Sequence, residues 1–156
     1  MLRNFCTNVV EKVLLHKRIT AFILSLLVTG FYYIGWIENV NSIFPNIISI
    51  AEAFLSVMGL VFAILTVIKE KDFFKKLERV WPQQVKSIYS DSIKSIFCSI
   101  IEIIMCVAVD TIVLIKSNIV SRCLYGFAMS FIFLLMILNT ISAFKKSFDI
   151  FIYDNK

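Results

Sequence analysis

Four apolar runs, each close to the length that crosses a bilayer, dominate this chain of 156 residues. A hydrocarbon core is about 30 Å thick and a helix rises about 1.5 Å per residue, so roughly 20 apolar residues make one crossing. The runs cover 20–37, 47–68, 96–115 and 124–144. Hydrophobic residues reach 59%, above the 45–50% or so of a soluble domain. The expected fold is all-α: an integral membrane four-helix bundle that occupies 1–156 as a single domain. The length leaves no room for a second, soluble one.

The first run is uncharged and ends in Tyr32, Tyr33 and Trp36, an aromatic cluster of the kind found at a lipid–water boundary. A long charge-bearing segment precedes it and no small-residue cleavage site follows, which predicts a retained signal-anchor rather than a signal peptide. The basic residues set the orientation. Arg3, Lys12, Lys17 and Arg18 precede the first run, and Lys69, Lys71, Lys75, Lys76, Arg79, Lys86 and Lys94 lie between the second and third. Lys145, Lys146 and Lys156 follow the fourth. Of the 16 Lys and Arg, only Lys116 and Arg122 fall in the other two loops. Positive charge stays in the cytoplasm, so both termini are expected there.

Between the second and third runs, 69–95 reads as a cytoplasmic helical hairpin. Phe73, Phe74, Leu77, Val80 and Trp81 recur at helical spacing, as do Val85, Ile88, Tyr89 and Ile93. Pro82 separates the two pieces, because it disfavours helix at Trp81. Amphipathic pieces lying flat on the membrane are the alternative. The exposed candidates for a partner-binding surface are Phe73, Phe74, Lys75, Lys76, Arg79 and Trp81.

A net charge of +5 suggests nucleic acid in a soluble protein. Here the cations flank membrane runs, so no direct nucleic-acid binding is expected. Cys6, Cys98, Cys106 and Cys123 form neither a disulfide framework nor, with His16 as the single histidine, a zinc constellation. His16 lacks any partner for hydrolase chemistry. No phosphate-cradling loop, metalloprotease helix or kinase signature is present. The chain reads as a non-enzyme without metal or cofactor.

Three carboxylates interrupt the runs: Glu52, Glu102 and Asp110. Each costs about 2.5–3.5 kcal/mol near the bilayer centre. By helical rise, Glu52 lies about 8 Å outward of the centre of its run, Asp110 about 7 Å outward and Glu102 about 5 Å inward. Glu52, Ser56, Gly59 and Ala63 recur at i, i+4, i+7 and i+11. This small-residue stripe predicts a close packing face. Glu102, Cys106 and Asp110 share another face. Two readings fit these acids: they line an ion or proton path, or they are neutralised within the bundle and fix helix register.

In the fourth run Gly126, Ser130 and Thr140 lie on one side and Asn139 nearly opposite. An amide pointing away from the bundle predicts a second protomer, hence a homo-oligomer. An Asn at the inner interface, reaching headgroup water, is the alternative.

The stretch Phe54 to Ile96, FLSVMGLVFAILTVIKEKDFFKKLERVWPQQVKSIYSDSIKSI, resembles small four-span membrane proteins of bacterial anti-phage loci. The likeness lies in an L-T-x-I turn at the end of a run, then a basic Phe-containing segment, then an amphipathic helix leading back to the membrane. The family it resembles is the membrane component of Kiwa-type defence. The resemblance implies a multi-pass protein of the bacterial inner membrane, an oligomer that senses a membrane event and couples it to a cytosolic partner protein. A small ion channel or pore-forming effector that depolarises the membrane is the other function expected.

Overall fold

The computed structural model describes residues 10–34, 44–68, 75, 78–108 and 118–153. Among them are four long helices: α1 (Lys17–Tyr33), α2 (Phe44–Ile68), α3 (Pro82–Ala108) and α4 (Ile119–Tyr153). The boundaries follow local chemistry. Pro82 is the first residue of α3, a position where its missing N–H leaves no orphan. Asn118 precedes α4, and its Oδ1 accepts the Val120 N–H at 3.0 Å, capping a first-turn donor. Residues 10–15 are also helical, and His16, at φ −109° and ψ 34°, separates that short run from α1.

α3 and α4 form the central pair. α2 packs on α3 with a smaller contact to α4, and α1 packs on α4. Phe22 of α1 meets Phe127 edge-on at 5.4 Å and Phe131 at 6.5 Å, while Phe62 of α2 meets Tyr89 of α3 at 5.8 Å. Such edge-to-face geometry aligns the positive ring edge with a negative ring face. Among the described residues, two stretches are long and apolar enough to cross a membrane, Asn46–Ala63 and Ile119–Asp149. The first and third runs read from sequence continue beyond the described residues, at 35–37 and 109–115.

The buried set is unusual for its polarity. Ala21, Ala51, Met58, Val85, Ile88, Met129, Met136 and Leu138 are inside, but so are Ser25, Asp91, Ser92, Ser95, Ser99, Glu102, Asn139, Thr140 and Ser142. α3 shows the arrangement most plainly. Its inward face reads Asp91, Ser95, Ser99, Glu102, Cys106, and its outward face reads Ile93, Phe97, Ile100, Ile101, Ile104, Val107. Water would favour the reverse.

Two expectations from sequence are corrected. Glu52, Ser56 and Ala63 are exposed, and nothing lies within 4 Å of a side chain built at Gly59. The packing face of α2 instead carries Ala51 and Met58, at positions about 100° around the helix from that stripe. Asn139 is buried, because α4 is covered by α1 on one side and α3 on the other; it does not point away from the chain. The fourth helix runs on to Tyr153, past the apolar run at 124–144.

Candidate functional site

A column of polar side chains runs along the seam between α3 and α4. Residues 91, 95, 99, 102 and 106 are spaced by four, four, three and four, which keeps them on one face for about 22 Å. Each layer meets different partners.

At one end lies a three-helix ionic clasp. Asp91 Oδ1 accepts from Lys17 Nζ of α1 at 2.6 Å, and its Oδ2 accepts from Lys146 Nζ of α4 at 2.6 Å and from Ser142 Oγ at 2.7 Å. Lys146 Nζ also donates to Ser87 Oγ at 2.6 Å. The Asp91 side chain is 4% exposed, against 19% for Lys17 and 33% for Lys146. Burial drives the Asp91 carboxyl upward, but the hydrogen bonds from Lys146, Lys17 and Ser142 and the Lys17 charge outweigh it, so its pKa lies below the ordinary carboxylate value. Lys17 also lies below its ordinary value. Burial lowers it, Asp91 raises it, and Lys146 and Lys94 lower it again. The two shifts differ in what they say of the pair: Asp91 gains from it, while Lys17 recovers only part of its burial cost. The stoichiometry accounts for this, since one carboxylate is shared by two ammonium groups.

The next layer is neutral. Ser95 Oγ and Thr140 Oγ1 lie 2.6 Å apart, Thr140 donates to the Met136 carbonyl at 3.0 Å, and Ser99 donates to the Ser95 carbonyl at 3.0 Å. These hydroxyls are satisfied across the seam or by their own helix.

Glu102 is different. It is fully buried, and neither carboxylate oxygen has a hydrogen-bond partner among the described residues; Ser92 Oγ is in the same state. Cys98, Cys106 and Tyr125 stand within electrostatic reach of Glu102. The Tyr125 hydroxyl is engaged elsewhere, donating to the Met105 carbonyl. A buried carboxyl with no partner is most stable as the neutral acid, or with a proton, cation or water supplied from outside the chain. Among the described residues no group of three His, Cys, Asp or Glu is placed to hold a metal.

The residues expected from sequence are scattered over the molecule. Glu102 and Cys106 share the buried face; Asp110 lies outside the described residues, as do Phe73, Phe74 and Lys76. Lys75 and Arg79 are exposed and Trp81 is half-buried. Gly126 and Ser130 are half-buried on α4, where Ser130 donates to the Gly126 carbonyl. Asp91, Lys17, Lys146 and the serines of α3 are additions that sequence reasoning misses. The signal is present as the Asp91–Ser95–Ser99 spacing, which extends the Glu102–Cys106 stripe toward the basic end. No family model, curated protein or solved structure matches the chain.

Proposed function

We propose that the chain is a four-span inner-membrane bundle, with both termini cytoplasmic, that senses a membrane event and transmits it to a cytosolic partner. The observation that carries the membrane setting is the inverted α3, apolar outward and polar inward. An exposed face of Ile, Phe and Val is at home against acyl chains, and the Asp91 clasp and the Ser95–Thr140 layer are satisfied within the chain as lipid demands, with Ser92 and Glu102 the exceptions on that face. The hydroxyls agree: Ser25 and Thr29 of α1, Ser56 of α2 and Ser147 of α4 all donate to carbonyls one turn back.

Coupling is supported by continuity. α3 runs unbroken from Pro82 beside the basic segment to Ala108, about 40 Å, and carries the clasp and Glu102 on the way. A partner that shifts the 69–81 segment therefore acts on the same rigid rod that holds the buried acids. The likeness of 54–96 to the Kiwa membrane component adds bacterial anti-phage defence as the setting. Replacing Phe73, Phe74 and Trp81 with Ala abolishes capture of the cytosolic partner on this reading; undiminished capture refutes it.

A second copy belongs to the proposal. Glu52, exposed on α2 within the span Asn46–Ala63, is costly to leave facing lipid, and Ser56, Gly59 and Ala63 beside it permit close approach of another helix. A cysteine at Ser56 crosslinks in membranes if α2 faces α2, and yields monomer alone if it does not.

The orphaned Glu102 favours a second reading, an ion or proton path through the bundle. In planar bilayers wild type then conducts and Glu102→Gln does not. A silent wild type removes it.

A further inference from the structure

Four cations crowd the end of the bundle where the clasp lies. Lys17 and Lys146 share Asp91. Lys94, one turn along α3, is exposed and close enough to act on Lys17 electrostatically. Arg18 is exposed beside Lys17. Glu11 is offset by Lys145 at 3.0 Å, and Asp149 is exposed one turn beyond Lys146, with no ion pair among the described residues. Asp91 is thus the one carboxylate shared by Lys17 and Lys146, with Lys94 near Lys17, and this spot holds excess positive charge among the described residues.

The same end has a cleft. His16 separates the short run 10–15 from α1, and an open, shallow hollow of about 300 Å³ lies there on the surface, lined by Leu15, His16, Lys17, Arg18 and Ile19. That is room for a headgroup but not for acyl chains. Chains have a path beside it. Ile19, Phe22, Ile23 and Leu26 stand exposed along α1 below the cleft.

We propose that this cleft binds the headgroup of an anionic diacyl phospholipid. The phosphate sits against Lys17 and Arg18, with Lys94 adding its charge, and the chains lie along the exposed face of α1. Cations near a membrane surface attract anionic lipid by about fivefold each, and basic pockets between helices on the cytoplasmic side suit such headgroups. Free phosphate matches the cations but makes no use of the apolar strip, so lipid is the occupant. The site rests on the membrane setting proposed above, but it does not depend on sensing, on a partner or on conduction.

The full-length protein, purified in detergent and exposed to equal amounts of phosphatidylglycerol and phosphatidylcholine with identical chains, is examined by native mass spectrometry. Phosphatidylglycerol is retained in preference. Arg18→Gln with Lys94→Gln lowers that preference about thirty-fold, or to parity. Neither residue belongs to the clasp, so the fold survives; should the double variant fail to fold, Arg18→Gln alone lowers the preference about fivefold. Equal retention of the two lipids by wild type overturns the proposal, as does an undiminished preference in the variant. Displacement of the lipid by an equal concentration of inorganic phosphate also overturns it, by assigning the cleft to phosphate.

Discussion

Replacing Asp91 with Asn removes the charge that holds α1, α3 and α4 together while changing little in shape. The carboxylate accepts three hydrogen bonds of 2.6–2.7 Å from Lys17, Lys146 and Ser142. Removing one partner of a fully buried ion pair costs about 3–5 kcal/mol, because the other charge is left unpaired. Lys17 and Lys146 retain 19% and 33% exposure and can turn toward water, and the introduced amide keeps an acceptor for Ser142. The expected loss is therefore about 2–3 kcal/mol. Equilibrium unfolding of the purified protein in lipid-containing micelles measures it. A control separates charge from packing: Asp91→Leu with Lys17→Met and Lys146→Met leaves no buried charge and lies within about 1 kcal/mol of wild type, since apolar side chains replace a buried ionic group at little cost. A loss under about 0.5 kcal/mol for Asp91→Asn refutes the reasoning, as does a triple variant less stable than the single one.

Acid reaches the same clasp. The folded Asp91 carboxyl titrates below its unfolded value of about 3.9, so its contribution is complete above that pH and vanishes as pH falls through the lower, folded value; Asp91→Asn flattens this limb of the stability profile. Glu102→Met, which replaces an unpartnered buried acid with an apolar side chain of similar length, leaves stability unchanged or raises it by about 1–2 kcal/mol in the same unfolding assay; a loss above about 2 kcal/mol reveals a partner for Glu102. Met136→Ala, at a fully buried site on the central helix, costs about 2–4 kcal/mol, whereas Ala63→Leu, on the outer face of α2, costs under about 0.5 kcal/mol in the monomer.

The helices are legible in the sequence because hydropathy over 18 or more residues is a strong local signal. Phase is less so. Small residues often mark contact, which points the stripe through Glu52, Ser56, Gly59 and Ala63 inward, yet Met58, whose flexible side chain fills irregular gaps, occupies the interface instead. An outward Asn139 follows only if a helix is covered on one side, whereas α4 is covered on two. Asp91 is hidden because its neighbours in sequence are polar and basic, so it reads as part of a solvated hairpin. Its partners lie 74 and 55 residues away, and no local pattern shows such a meeting. Glu102 is visible at once, since a lone acid in an apolar run is costly wherever it points.

In the proposed membrane setting, the apolar face of α3 touches lipid while the polar face is sealed inside. Single cysteines at Phe97, Ile101 and Ile104, in a background with Cys6, Cys98, Cys106 and Cys123 replaced by Ala, carry spin labels into vesicles. A fourth label at Lys86 serves as the aqueous reference. The three labels are expected to relax with oxygen dissolved in the bilayer and ignore a water-soluble nickel chelate, and the Lys86 label to do the opposite. Labels at Phe97, Ile101 and Ile104 that respond to the nickel chelate as strongly as the one at Lys86 contradict it.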